Sequence, residues 1–174
     1  ASITDDGTAD LTVTGNADLA GTSIALDDTF DFGSLTFNSG GSVVIAEDSA
    51  TVLSGTSTAD SLDLDSTASI TDDGTADLTV TGNADLAATS IALDDTFGFG
   101  SLTFNSAGAV SISESGATIL SGTNTASSLD LDSTAGITNA ASASLTVTNN
   151  ADVNGTSIAP VSYTHLRAHE TYTY

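Results

Sequence analysis

The feature that leaves the fewest folds open is a long internal repeat. ASITDDGTADLTVTGNADLAGTSIALDD begins at Ala1, and ASITDDGTADLTVTGNADLAATSIALDD begins at Ala68. A degenerate third copy, AGITNAASASLTVTNNADVNGTSIA, begins at Ala135. The step from Ala1 to Ala68 equals that from Ala68 to Ala135, and the first two copies differ at 11 of the 67 positions. The chain of 174 residues thus divides into unit 1 (residues 1–67), unit 2 (68–134), a partial unit 3 (135–159) and a tail (160–174) with no counterpart in the units. Near-identity at a fixed period points to stacked structural repeats, each burying its apolar side on its neighbours.

Within a unit, short runs alternate apolar and polar residues: LTVT, SIAL, SLTF, SVVI, ATVL, SLDL, ASIT. Gly, Asn, Asp and Ser clusters separate them. Alternation with a period of two, rich in Val, Ile, Thr and Phe, is the pattern of half-buried strands, and no helical period persists for three turns. About seven strands per unit, joined by short turns, are each too thin to close a core alone. The expected fold is therefore all-β, a right-handed parallel β-helix (β-solenoid) built from these tandem units, with a β-sandwich as the alternative. SLTFNSGGSVVIAEDSATVLSG, from Ser34, aligns loosely with SLDLDSTASITDDGTADLTVTG, from Ser61. That similarity suggests two coils per unit, with an extra strand and loop around LDDTFDFG; three coils of about 22 residues is the other solution. At about 4.8 Å per coil, the body would be a rod about 25 to 35 Å long.

Differences between the copies predict which way side chains face. Val44 becomes Ser111 while Val43/Val110 and Ile45/Ile112 are kept, so position 44 faces outward and its neighbours inward. The predicted inward set is Leu11, Val13, Ile24, Leu26, Leu35, Phe37, Val43, Ile45, Leu62, Leu64 and Ile70, with their counterparts in the following unit. Val52 becoming Ile119 reads as a volume-tolerant core exchange. Phe30, Phe32 and Phe37 read as packing residues.

Charge then limits function. Of 23 acidic residues only Glu170 lies in the tail, so residues 1–159 hold 22 carboxylates and no Lys, Arg or His. Such a body repels nucleic acid and anionic membrane surfaces and attracts cations. No apolar run approaches the length of a membrane-spanning helix. Cysteine is absent. The opening ASITDDG lacks Met and a signal-like pattern, and reads as the interior of a longer chain.

Two acid clusters, Asp5/Asp6/Asp10 and Asp27/Asp28/Asp31, are the candidate calcium ligands, because hard cations want clustered oxygens. Neither has EF-hand spacing. In unit 3 the first cluster becomes Asn139, Ala140 and Ser144, which marks those acids as replaceable turn residues. No metal, cofactor or catalytic residue is assigned, and calcium stays as the one candidate ligand. Paired carboxylates also suggest a glycosidase, but a body without a cation has nothing to hold an acidic sugar, and the expectation is that the chain is not an enzyme. Thr12–Val13–Thr14 and its copies occur once per unit, too rarely for an ice-binding face.

The Cys-free, Ser/Thr/Gly/Asp-rich units, with blocks such as SLTFNSGGSVVI and ADLTVTGNADLAGTSI, resemble the repeat stretches of large secreted bacterial surface proteins. These are of the filamentous-haemagglutinin and autotransporter-adhesin type. The resemblance covers residues 1–159 and implies an extracellular β-helical stalk on the bacterial surface. It further implies neighbouring repeats of the same longer chain as partners, and host or cell-surface glycans as adhesion ligands. There are no family catalytic residues to carry over. A calcium- or carbohydrate-binding outer face is the alternative.

The tail, PVSYTHLRAHETYTY, holds the sole proline and sole cation (Pro160, Arg167), both histidines (His165, His169) and all three tyrosines. Two histidines four apart beside Glu170 could be drawn as a metal site. However, VSYTHLRAHET (161–171) resembles the translation of a transposase sequencing adapter. The tail is expected to be non-native read-through and disordered, and it is excluded from the functional reading.

Overall fold

A computed structural model describes residues 1–159. They contain 19 strands and no helix, joined in one sheet whose pairings are all parallel. The expected all-β solenoid is the fold. The sequence-level readings of the tail fall outside the described residues.

Hydrogen-bond register gives the coil count. One ladder runs Ile3, Ile24, Val43, Leu62, Ala84, Leu102, Leu120, Asn139, each residue paired with the next. Its seven steps cover 136 residues (139 minus 3), so eight coils average about 19 residues each. With about 4.8 Å between coils, the stack is about 34 Å long. A second ladder begins Ala17, Leu35, Leu53 and continues on the next strand, Ser69–Asp72, as Ile70, Ile91, Val110, Leu129, Ala151.

Adding 67 to Ile3, Ile24, Val43, Leu62 and Ala84 gives the tail of the second ladder. Adding 67 to Ala17, Leu35 and Leu53 gives Ala84, Leu102 and Leu120, which belong to the first. One unit therefore moves a residue to the opposite face, and two units return it after seven coils. The repeat spans three and a half coils. Neither two nor three coils per unit is correct, because one coil takes only the span from Leu35 to Leu53, or at most that from Leu62 to Ala84.

A third, shorter side joins the two faces, and it changes edge along the rod. Residues 10–13 and 29–32 follow a strand of the first ladder. Thr56–Ala59, 77–80 and 96–99 follow a strand of the second, and Thr123–Ala126 with Ser144–Val147 follow the first again. Where a face meets the third side, residues 10–21 run continuously through a register shift between Val13 and Asn16. Gly33 crosses that bend so closely that a Cβ there would collide with the carbonyl oxygen of Thr14, and Gly100 meets Thr81 in the same way. Glycine is required at both points.

The core is the stack of inward residues. Ile24, Leu26, Leu35, Phe37, Val43, Ile45, Leu62, Leu64 and Ile70 are buried as expected, as are Phe30 and Phe32, whose rings lie 5.8 Å apart. Two expectations need correction. Leu11 is 46 % exposed and Val13 only half-buried, although Leu78 and Val80 are each 1 % exposed. Strand Thr56–Ala59 lies over 77–80, whereas 10–13 is paired on one side only. The Val52/Ile119 exchange is not a core exchange either: Ile119 is exposed while Thr51, Leu53, Thr118 and Leu120 point inward, so alternation turns the middle residue to solvent.

Candidate functional site

Stacking regroups the acids. Asp5 follows the short first strand, and the chain then turns through Asp6 and Gly7. Gly7 has φ +81°, which an L side chain resists, and its N–H donates to Asp5 Oδ1 at 3.3 Å. The N–H and hydroxyl of Thr8 donate to Asp6 Oδ1 at 3.2 and 2.8 Å, closing an Asx turn. One coil further on, Asp27 donates its N–H to Asp5 Oδ2 at 2.7 Å, and Ala9 donates its N–H to Asp28 Oδ2 at 2.8 Å. Asp5, Asp27 and Asp28 thereby bring carboxylate oxygens within 4.8 Å of one another. Unit 2 repeats the corner with Asp72, Asp94 and Asp95: the N–H of Asp94 donates to Asp72 Oδ2 at 2.9 Å and that of Ala76 to Asp95 Oδ2 at 2.9 Å.

The two clusters read along the sequence are thus split. Asp5 leaves the first to join Asp27 and Asp28 of the second. Asp6 is spent on its turn, Asp10 lies in register with Thr29, and Asp31 accepts a hydrogen bond from Ser49 Oγ at 2.7 Å. The backbone N–H of Asp27 holds the Asp5 carboxyl below the usual carboxylate range, against a smaller opposing effect of burial. Three convergent carboxylates, one hydrogen-bonded in its charged form, can attract a hard cation.

A second set of acids lies on the flat faces. Asp63 is in register with Asp85, and Asp130 with Asp152, so like charges face each other between adjacent coils. Burial, then the charge of Asp63, pushes Asp65 and Asp85 up; burial, then Asp132, pushes up Asp130. Open corner grooves beside these acids are lined by Asp48, Asp65 and Thr67 in one unit, and by Asp132, Thr134 and Asn154 in the next. No histidine, lysine, arginine or cysteine occurs among the described residues.

The acids that the sequence reading passed over are Glu47 and Glu114, 2 % and 3 % exposed inside the rod. The signal was available: in SVVIAE, the alternation that turns Val43 and Ile45 inward also turns in Glu47.

Residues 40–99 match a family described as repeats of unknown function (DUF5649). The match runs from just before the strand Ser42–Glu47 to Phe99, about three coils of the stack, and it agrees with a repeat region. No curated protein matches the chain. No solved structure matches it.

Proposed function

We propose that the chain is a stretch of an extracellular stalk of the filamentous-haemagglutinin or autotransporter-adhesin type, without catalysis, set on a bacterial surface. The observation that carries this reading is the unbroken pair of ladders. Each coil pairs only with the coil before and the coil after, so added units give length and leave the cross-section unchanged. Such a body suits spacing rather than chemistry. Its partners in this reading are neighbouring units of a longer chain: Leu11 offers the surface that Thr56–Ala59 covers on Leu78. The uniformly acidic exterior keeps the rod soluble and discourages contact with nucleic acid or anionic lipid. Antibodies raised against residues 1–159 should label intact cells of the source bacterium; labelling only after the envelope is opened would contradict the stalk.

The corner acids favour a second reading, in which an outer edge of the solenoid binds calcium and, through it or beside it, carbohydrate. Calcium titration followed by melting separates the two. Saturable stabilisation at submillimolar calcium, lost in D27N/D94N, supports the site, and a weak shift reproduced by sodium chloride leaves the spacer alone.

A further inference from the structure

Glu47 and Glu114 sit where the third side of the rod stops. Residues 29–32 form the last strand of that side in the first half of unit 1, and the coil after it turns directly from Ser42–Glu47 to Thr51–Leu53. The backbone at 30–32 would be left without a partner on that edge. Asp48 donates its N–H to the Phe30 carbonyl at 2.9 Å, and the Glu47 carboxyl replaces the missing strand by accepting the Phe32 N–H at Oε1, 2.9 Å away. Unit 2 repeats the device, with Ser115 N–H on the Phe97 carbonyl at 2.8 Å and Phe99 N–H on Glu114 Oε1 at 3.0 Å. The carboxyl is a side-chain cap on a truncated β-stack.

The cap is complete on one oxygen only. Glu47 Oε2 and the hydroxyl of the adjacent Thr51 are both buried, and neither has a partner beyond the other; the same holds for Glu114 Oε2 and Thr118 Oγ1. These are the same two atoms in both units. An ionised carboxylate can take the threonine proton at Oε2, but it keeps a full charge inside the core, where burial disfavours it. A neutral carboxyl carries a proton on Oε2, and the threonine hydroxyl beside it is an acceptor. Among the described residues the surroundings offer no positive side chain. Around Glu47 the acids on neighbouring elements are Asp31 on the strand Thr29–Ser39, Asp63 and Asp65 on Ser61–Ser66, and Asp48 in its own turn. Around Glu114 they are Asp94 and Asp95 on Ser90–Ser106 and Asp130 and Asp132 on Ser128–Ser133. Between the units the turn changes from Asp48 to Ser115 and Asp31 becomes Gly98, yet the Glu–Thr pair stays.

We propose that Glu47 and Glu114 are proton-controlled caps, closed when the carboxyl is neutral and loosened when it ionises, so that acid tightens the rod at two levels three and a half coils apart. Burial pushes both carboxyls above the ordinary glutamate range, with the threonine hydroxyl and the Phe N–H opposing and, at Glu47, Asp31 adding to the rise. A carboxyl held above its unfolded value favours the folded chain below that unfolded value. The advantage is lost as pH rises through the folded value. The rod is therefore more stable in mild acid than at neutrality.

Glutamate occurs only at positions 47, 114 and 170, so selective 13C labelling of its δ-carbons gives three carboxyl signals, assigned with E47Q and E114Q. Two signals, those of Glu47 and Glu114, should titrate above the ordinary glutamate midpoint of about 4.3. E47Q/E114Q, whose amide can donate to the threonine at any pH, should melt higher than the parent at pH 7 and gain less on acidification to pH 5. Ordinary midpoints for both residues would overturn the proposal whether or not the variant folds. So would a folded variant that melts no higher at pH 7 and keeps the parent's pH dependence.

Discussion

Leu11 and Leu78 hold the same place in their units, yet Leu11 is 46 % exposed and Leu78 is 1 % exposed. The difference is one covering strand, and it gives a direct measure of what stacking contributes. Leu78→Ala should destabilise the chain by about 3 kcal/mol, the range for a buried leucine that leaves a cavity, while Leu11→Ala should cost less than about 1 kcal/mol. Chemical denaturation of the two variants side by side checks this, and equal costs would mean that strand Thr56–Ala59 does not lie on 77–80. Facing was legible in the sequence wherever alternation was clean, as at Val43–Ile45 and Leu62–Leu64. At Val52 a hydrophobic exchange points falsely to the core, although Thr51 and Leu53 on either side are the inward pair. Exposure of Leu11 was not legible, because it depends on a neighbour rather than on the residue.

At the scale of the strand and its turn, polar side chains bind one coil to the next. Asn16 Oδ1 accepts from the hydroxyls of Ser34 at 2.9 Å and Ser54 at 2.8 Å, residues on the two following coils. Thr36 donates to the Ser54 carbonyl at 2.7 Å, beside the left-handed Gly55. Asn83, Ser101 and Ser121 repeat the arrangement at 2.9 and 2.6 Å. These contacts join residues 18 and 38 apart, spacings that mark no motif along the chain. The same applies to the corner acids, since Asp5 meets Asp27 only because a coil brings residues 22 apart together. Strand positions could be read from alternation, but coil length could not. It follows from register between segments of different sequence, such as Leu62 against Ala84, and the likeness between the blocks from Ser34 and Ser61 concealed it.

On the scale of the whole molecule, two properties follow from the stack. The first is electrostatic: the described residues 1–159 hold 22 carboxylates and no positive side chain, and Glu47, Asp65, Asp85, Glu114 and Asp130 are all pushed upward by burial. Self-repulsion and these burial costs act in one direction, so mild acid favours the folded rod, with Asp5 as the exception. The second is geometric. A repeat of three and a half coils turns each successive unit to the opposite face, which spreads the same side chains over both sides of the rod. The most direct test is the length of chains carrying one to four additional copies of residues 68–134, measured by small-angle X-ray scattering. Three and a half coils at about 4.8 Å predict growth of about 17 Å per added unit at constant cross-section. Growth by a separate compact body for each unit, with a changed cross-section, would contradict the continuous solenoid.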